Sequence, residues 1–291
     1  MTIKYLKKSD SHNQKTAPFH KRLYAAIAMS SAVFSPVQAS TELPDMLRVC
    51  AAANEMPYSD QQQSGFENDI ANVLAESMSL PVEFVWSEKA AIFLVSELLL
   101  KNSCDVVIGV DSDDPRVATS EPYYTSGYVF IYPADKGITI NDWNSPDLAS
   151  MDRFAIVAGS PSEVMLREVG KYTGNFNYQK SLSGYKSPRN KYIRLDPKKL
   201  VDEVLYGKAD IAHLWAPEVA RYVKASNGKL NMVMSPAIET LKNGEKLPQQ
   251  YAQSVAVREG EKALLDAVNK GLKKAKPKID QILKEEGVPL I

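Results

Sequence analysis

Read for the spacing of apolar positions, the chain alternates between short apolar runs and longer segments with helical periodicity. "MLRVCAAA" is a compact apolar run that predicts a first strand, and the turn-rich "NEMPYSDQQQSG" follows it. In "GFENDIANVLAESMS", Phe66, Ile70, Val73, Leu74 and Met78 recur at intervals of three and four, which predicts a helix with one buried face. Asn68 and Asp69 fall in its first turn, where side-chain oxygens and negative charge suit the unpaired amides. "PVEFVW" alternates as a strand does, "SEKAAIFLVSELLLKNS" predicts a strongly apolar helix, and "CDVVIGV" is a continuous apolar strand of the type buried on both faces. Strand, helix, strand, helix, strand is the order of an α/β sheet with crossover helices.

After the interruption at "EPYY", "TSGYVFIYP" predicts a further strand closed by Pro133, and the polar "ADKGITINDWNSPDL" reads as an interdomain stretch. A second unit then begins. "RFAIVAGS" predicts a strand running into "SPSEVMLREVGKYTG", where Ser160, Pro161 and Glu163 form a capping-box pattern at a helix start. "DPKKLVDEVLYGK" is amphipathic, "ADIAHLW" is a strand, and "APEVARYV" opens a helix behind it. "LNMVMS" and "QSVAVRE" are short strands. The tail "KALLDAVNKGLKKAKPKIDQILKEEG" is helical but contains Pro277, which predicts two helices, with Lys270, Lys273, Lys274, Lys276 and Lys278 on a solvated face.

The first residues do not share this pattern. Lys4, Lys7, Lys8, Lys15, Lys21 and Arg22 stand against one acid, Asp10, ahead of the apolar "LYAAIAMSSAVF" and the small-x-small sequence Val37, Gln38, Ala39. This is the form of a secretory signal peptide over residues 1–39, and its apolar stretch is short of the roughly 20 residues of a spanning helix. Its removal takes 6 basic and 1 acidic residue from 35 of each, leaving 29 against 34 and a formal charge of −5. A mildly acidic exported chain of about 250 residues is not built to bind nucleic acid.

The chemistry available to such a chain is sparse. His12 and His20 leave with the leader, so His213 alone remains, which excludes multi-histidine zinc sites and the H-E-x-x-H protease motif. Neither a G-x-S-x-G elbow nor a Gly-rich phosphate loop occurs, and no catalytic residue, metal ligand or cofactor site is assigned. Cys50 and Cys104 are the two cysteines; in an oxidising compartment they read most simply as one disulfide, with two buried thiols as the other reading.

Four segments, "GFENDIANVLAE", "CDVVIGV" with "EPYYTSGYVFIY", "AIVAGSPSEVML" and "GKADIAHLWAPEVARYV", together resemble the exported solute-binding proteins of type II. The resemblance implies a two-lobed α/β clamp with two interlobe crossovers: lobe 1 from residues 40–132 and 236–291, lobe 2 from 133–235. Within that group the chain is similar to the binding-protein-like accessory proteins of quinoprotein alcohol dehydrogenases, on the strand ending in Cys50, "GFEN", "PYY", and Asp210, Ile211, Ala212, Trp215, Ala216 and Pro217. Ala216 departs from a glycine common there. This closer resemblance implies a periplasmic, non-catalytic protein of methanol oxidation, monomeric when isolated, whose partner is a dehydrogenase dependent on calcium and pyrroloquinoline quinone (PQQ). The alternative is the solute-binding subunit of an ABC transporter for a small aromatic or anionic molecule.

Amino-acid-binding members hold the ligand's ammonium with an aspartate five residues beyond the one that opens the later strand. Five residues beyond Asp210 stands Trp215. An indole supplies no negative charge, and attraction to its ring is worth only about 0.5–2 kcal/mol. The other candidate cleft residues, by family position, are Asn54, Tyr58, Tyr123 and Tyr124 from the first lobe, Arg116, and Ser160 at a helix start suited to an anion. Each has a plainer reading: packing for the aromatics, a local ion pair with Asp111, Asp113 or Asp114 for Arg116, and ordinary capping for Ser160.

Overall fold

The computed structural model describes residues 43–183 and 195–291; the leader expected over residues 1–39 lies outside them. Strand β1 (Leu47–Ala52) is buried along almost its whole length, and the turn-rich loop after it contains a small hairpin of β2 (Asn54–Glu55) and β3 (Ser59–Asp60). The predicted helix follows as α1 (Phe66–Met78), with Phe66, Ile70, Ala71 and Leu74 on its buried face. Gly65 precedes it. A Cβ there would lie 2.1 Å from the Tyr58 carbonyl oxygen and 2.4 Å from the Ser59 nitrogen, so the hairpin backbone rests directly on the helix start. Gly65→Ala is therefore expected to cost about 2–3 kcal/mol, read as a lower urea midpoint with unchanged slope, because backbone rather than a flexible side chain must move.

β4 (Val82–Ser87) pairs in parallel with β1. The segment after it departs from the sequence expectation: instead of one apolar helix, residues 91–101 form two 3₁₀ turns around the single-turn α2 (Leu94–Glu97). With Ser96, Glu97 and Lys101 its only polar positions, it cannot bury every apolar side chain on one sheet face. Breaking at Leu98 turns Leu94, Val95 and Leu99 inward and leaves Ile92 and Leu100 exposed. The chain continues through β5 (Val106–Asp111), β6 (Ala118–Thr119) and the ten-residue β7 (Tyr124–Pro133).

The second unit contains β8 (Phe154–Ala155), α3 (Pro161–Glu168), α4 (Tyr172–Ser183), α5 (Pro197–Leu205), β9 (Ile211–Trp215), α6 (Ala216–Ala225) and β10 (Leu230–Met234). β8 is shorter than its apolar run suggested. Its outer edge is closed by side-chain amides of α4: Asn175 accepts from the Phe154 amide (2.8 Å) and donates to the Phe154 carbonyl (2.9 Å), and Gln179 donates to Ile156 (2.7 Å). The capping box at α3 is modified. Ser160 donates its hydroxyl to Val157 (2.7 Å), while Glu163 accepts from the Gly159 amide (2.7 Å), since the turn places the preceding nitrogen nearer the carboxylate.

The chain ends with the hairpin β11 (Ile238–Thr240) and β12 (Lys246–Pro248), then β13 (Gln250–Val257) and α7 (Lys262–Glu286). The expected break at Pro277 is absent, and α7 is one 25-residue helix. Leu272, Ala275, Ile279 and Leu283 keep a single buried stripe across the proline, and Pro277 itself faces solvent among the exposed lysines. The carbonyl that loses its intrahelical partner can then be hydrated, and packing on α1 outweighs the local cost. That packing is close: a Cβ on Gly271 would lie 2.8 Å from Met78, and Ser77 donates to the Gly271 carbonyl (2.9 Å).

The strands form one curled mixed sheet in the order β4-β1-β5-β13-β7-β9-β8, with β10 also on β7 and β6 on β13. β7 joins its two parts. Tyr124–Gly127 pair with β13, and from Tyr128 onward the strand pairs with β9 and β10. Separate apolar cores flank the parts, one around Phe66, Leu74, Val255 and Ile279 beneath α1 and α7, another around Val129, Leu200, Leu214 and Val219 beneath α5 and α6.

Candidate functional site

Trp215 ends β9 and sits immediately before α6, with Pro217 in that helix's first turn, so the strand-to-helix corner fixes where the indole points. Its register partner across the antiparallel ladder is Tyr128. Tyr251, from β13, completes a group of three rings: Tyr128 to Trp215 is 5.7 Å, Trp215 to Tyr251 is 5.9 Å and Tyr128 to Tyr251 is 6.4 Å between centroids. Aromatic pairs at these separations and inclined angles are mutually attractive. Strands of both sheet parts therefore meet in ring packing at Trp215, five residues beyond Asp210.

Two carboxylates border the rings. Asp111, at the end of β5, accepts from Gln253 (2.8 Å), and Glu218 lies in the first turn of α6. Burial, followed by the nearby negative charge of Glu218, pushes the Tyr128 hydroxyl well above the ordinary tyrosine range, and Tyr58 is raised by the same two causes. These phenols stay protonated at any physiological pH.

Of the remaining candidates, Tyr58 and Tyr124 lie close to the ring group and its carboxylates, Tyr58 near Glu218 and Tyr128, and Tyr124 near Asp111. Tyr123 and Tyr124 are buried in the α1 core, edge-on to each other at 5.0 Å. Tyr58 packs on Phe66 at 5.1 Å, and Asn54 is exposed on β2. Arg116 is taken up by Asp114, which accepts from Nε (2.9 Å) and Nη2 (2.5 Å); with the guanidinium half exposed, the pair contributes about 1 kcal/mol. Ser160 stands at a helix end already supplied with the Glu163 carboxylate. Asp210, which opens β9, accepts from the Asp152 and Arg153 amides and from the Arg153 guanidinium; these bonds outweigh its partial burial and hold it below the usual carboxylate range.

His213 is fully enclosed. The Ser162 hydroxyl donates to the His213 carbonyl (2.8 Å), which leaves Nδ1–H to donate to Ser162 Oγ (2.8 Å) and Nε2 to accept from Ser235 (2.7 Å). Burial pushes its pKa down to about 3, so the ring is a neutral, hydrogen-bonded core group and a poor proton acceptor.

Further contacts tie α6 to the C-terminal helix. Glu286 accepts from both Nε and Nη2 of Arg221 (2.6 Å each), and Lys224 donates to the Glu285 carbonyl (2.7 Å). The sequence reading did not identify Tyr128, Tyr251, Glu218 or Arg221. The alternation of "TSGYVFIY" could have placed Tyr128 beside Trp215 once β7 and β9 were paired, whereas Tyr251 and Arg221 depend on tertiary contacts alone.

Sheet, helix order and corner geometry are those of a periplasmic-type binding fold, and the sequence agrees: residues 47–285 match the bacterial extracellular solute-binding proteins, family 3, to which this chain belongs. Among its relatives, protein MoxJ of Methylorubrum extorquens is 43% identical over 290 residues, covering 96% of each chain. Protein MoxJ of Paracoccus denitrificans is 40% identical over 271 residues, covering 93% of this chain and 97% of its own. The crystal structure of MxaJ from Methlophaga aminisulfidivorans MPT is 61% identical with a TM-score of 0.81, covering 84% of this chain and 100% of that one. The resemblance read from the sequence is borne out at this level. Among the described residues no helix is long and apolar enough to cross a membrane.

Proposed function

We propose that this chain is a non-catalytic periplasmic accessory protein of methanol oxidation that docks on, or assists maturation of, a PQQ-dependent methanol dehydrogenase. The observation carrying this reading is Trp215. The position that neutralises a ligand's ammonium in amino-acid binders is an indole packed on Tyr128 and Tyr251, and an indole supplies no charge of its own to hold that nitrogen. Similarity to the two MoxJ proteins supports the pathway, and the Arg221–Glu286 bridge supports a clamp held shut rather than cycling around a solute. On this reading the lobes are 40–132 with 236–291 and 133–235, behind a cleaved leader of residues 1–39, although the cores divide nearer Tyr128, with Val129 and Ile131 in the second core and the β11–β12 hairpin packed beside Phe130 and Tyr132. Affinity capture of the tagged protein from methanol-grown cells is expected to recover methanol dehydrogenase. Recovery of a transporter permease without the dehydrogenase refutes the reading.

A second reading, a transport subunit for a small aromatic solute, is favoured by Asp111 and Glu218 beside three aromatic rings. A ligand that binds only the folded protein at a hundred times its Kd stabilises it by about 2.7 kcal/mol. A saturable rise in melting temperature with one such solute, abolished in Trp215→Ala, selects this second reading.

A further inference from the structure

The helix α6 is shared by two cores. Ala216, Val219 and Val223 are buried in the core around Leu200 and Leu214, whereas Ala220 is buried in the core around Phe66 and Ile279. A helix seated in both cores fixes their relative placement only as firmly as its smaller contact. Toward α7, Ala220 is the one α6 residue among the described residues that enters the core, and a set of polar bonds surrounds it.

These bonds begin where α7 ends. Gly287, at φ +80°, closes the helix in a left-handed turn that lets the Val288 amide donate back to the Leu283 carbonyl (2.9 Å). The turn lies on α6: a Cβ on Gly287 would stand 3.4 Å from the Lys224 side chain and 3.6 Å from the Ala220 carbonyl oxygen. From α6, Arg221 donates to both oxygens of Glu286 (2.6 Å each), and its two terminal nitrogens reach the Ser64 carbonyl just ahead of α1 (3.4 Å each). The two side chains are only 23% and 16% exposed, so water competes weakly for this bidentate pair. Lys224 donates to the Glu285 carbonyl (2.7 Å). A few residues on, the chain meets β7. The Ser126 hydroxyl donates to the Pro289 carbonyl (2.7 Å), and the Ile291 amide donates to the Thr125 carbonyl (3.1 Å). Thr125 and Ser126 pair with β13, immediately before β7 passes at Tyr128 to its partners β9 and β10. Residues 285–291 therefore hold α6 at one end and the strand that joins the two sheet parts at the other.

We propose that α6 and residues 285–291 form a latch that holds the two sheet parts at one angle about β7, so that the protein does not open and close as a solute clamp must. Its functional consequence rests on the accessory reading: a face that is already fixed gives up less freedom when a partner docks on it. Trp215 stands at the start of the latched helix, so the ring corner is held in the same arrangement.

The test combines backbone hydrogen exchange with small-angle X-ray scattering of the isolated protein. Native scattering should fit a single form. Arg221→Gln keeps a polar side chain but removes the charge and the two-pronged grip; it is expected to speed exchange in residues 124–128 and 285–291 about tenfold or more and to raise the radius of gyration, with exchange in β1 unchanged. Arg221→Glu, set against Glu286 and nearby Asp69, should loosen the same segments further, and adding Glu286→Arg to it should restore native exchange. Ser126→Ala probes the other end of the latch, where the Ile291 amide should exchange severalfold faster. Native scattering that requires a mixture of open and closed forms, native-like exchange in Arg221→Gln, an equal rise in β1, or no recovery in the charge-swapped pair overturns the proposal. Any of these beside successful capture of methanol dehydrogenase removes the latch and leaves the accessory reading standing, whereas a latched protein that captures only a permease does the reverse.

Discussion

Replacing Cys50 and Cys104 together by alanine lowers the unfolding free energy by about 4 kcal/mol, measured by urea titration of the oxidised protein beside the variant. The two residues are 54 apart in sequence, their Cα atoms lie 5.5 Å apart, and they are bonded to each other. Opening a loop of that length restores to the unfolded chain a freedom worth about 4 kcal/mol in the chain-entropy account. The bond also stands inside a core cluster with Leu94, Val95, Leu99 and Val107, so the paired alanines remove buried sulfur atoms as well as the cross-link. Reducing the native protein separates these contributions. Dithiothreitol should produce most of the loss without any change of side chain, and a loss below about 1 kcal/mol in both cases would show that the cross-link is energetically idle. The neighbouring ion cluster should survive, since Asp105 accepts from the Arg48 amide and from two of its guanidinium nitrogens whether or not the sulfurs are joined.

What the sequence made legible follows from which forces act locally. α1 and α5 are set by an apolar stripe that only one face of a helix can bury, and both formed where the spacing placed them. Residues 91–101 depart from the expected helix because an apolar run with so narrow a polar face does not say which way it must turn. Pro277 was misread for the opposite reason. A local rule predicted a break, but α1 lies along α7 and packing across the proline decides the outcome. The β11–β12 hairpin could have been read from Asn243–Gly244 between two short runs, a recognised turn signal, with Gly244 at φ +85°. At the corner, Trp215 could be singled out because its spacing from Asp210 is a property of a single strand. Tyr251 joins it only because β13 returns from far along the sequence to lie between β5 and β7, which no local pattern encodes.

The second large effect concerns Glu67, one residue into α1, whose carboxylate oxygen lies 1.8 Å from where a Cβ on Gly109 would stand. Gly109, at φ +72°, gives it that space. Largely though not wholly withdrawn from water there, and with Glu55 adding negative charge, the carboxyl has its pKa raised from 4.5 to about 8. The folded state therefore holds this proton more tightly than the unfolded state does. Its contribution to stability is fully present below pH 4.5 and is lost as the pH rises through 8, where the native protein must bury a carboxylate. At about 1.36 kcal/mol per pKa unit the whole span is worth on the order of 5 kcal/mol. His213 works on the other limb: its folded pKa of about 3 lies below the ordinary 6.5, so its contribution is complete above 6.5 and falls away under acid. The facing phenols of Tyr58, Tyr123 and Tyr124 are raised above 10 and do not titrate between these limits. Glu67→Gln should consequently match the native urea midpoint near pH 5 and exceed it by a few kcal/mol at pH 9, with the gap opening between. Parallel pH curves for the two proteins would mean that the carboxyl is hydrated after all.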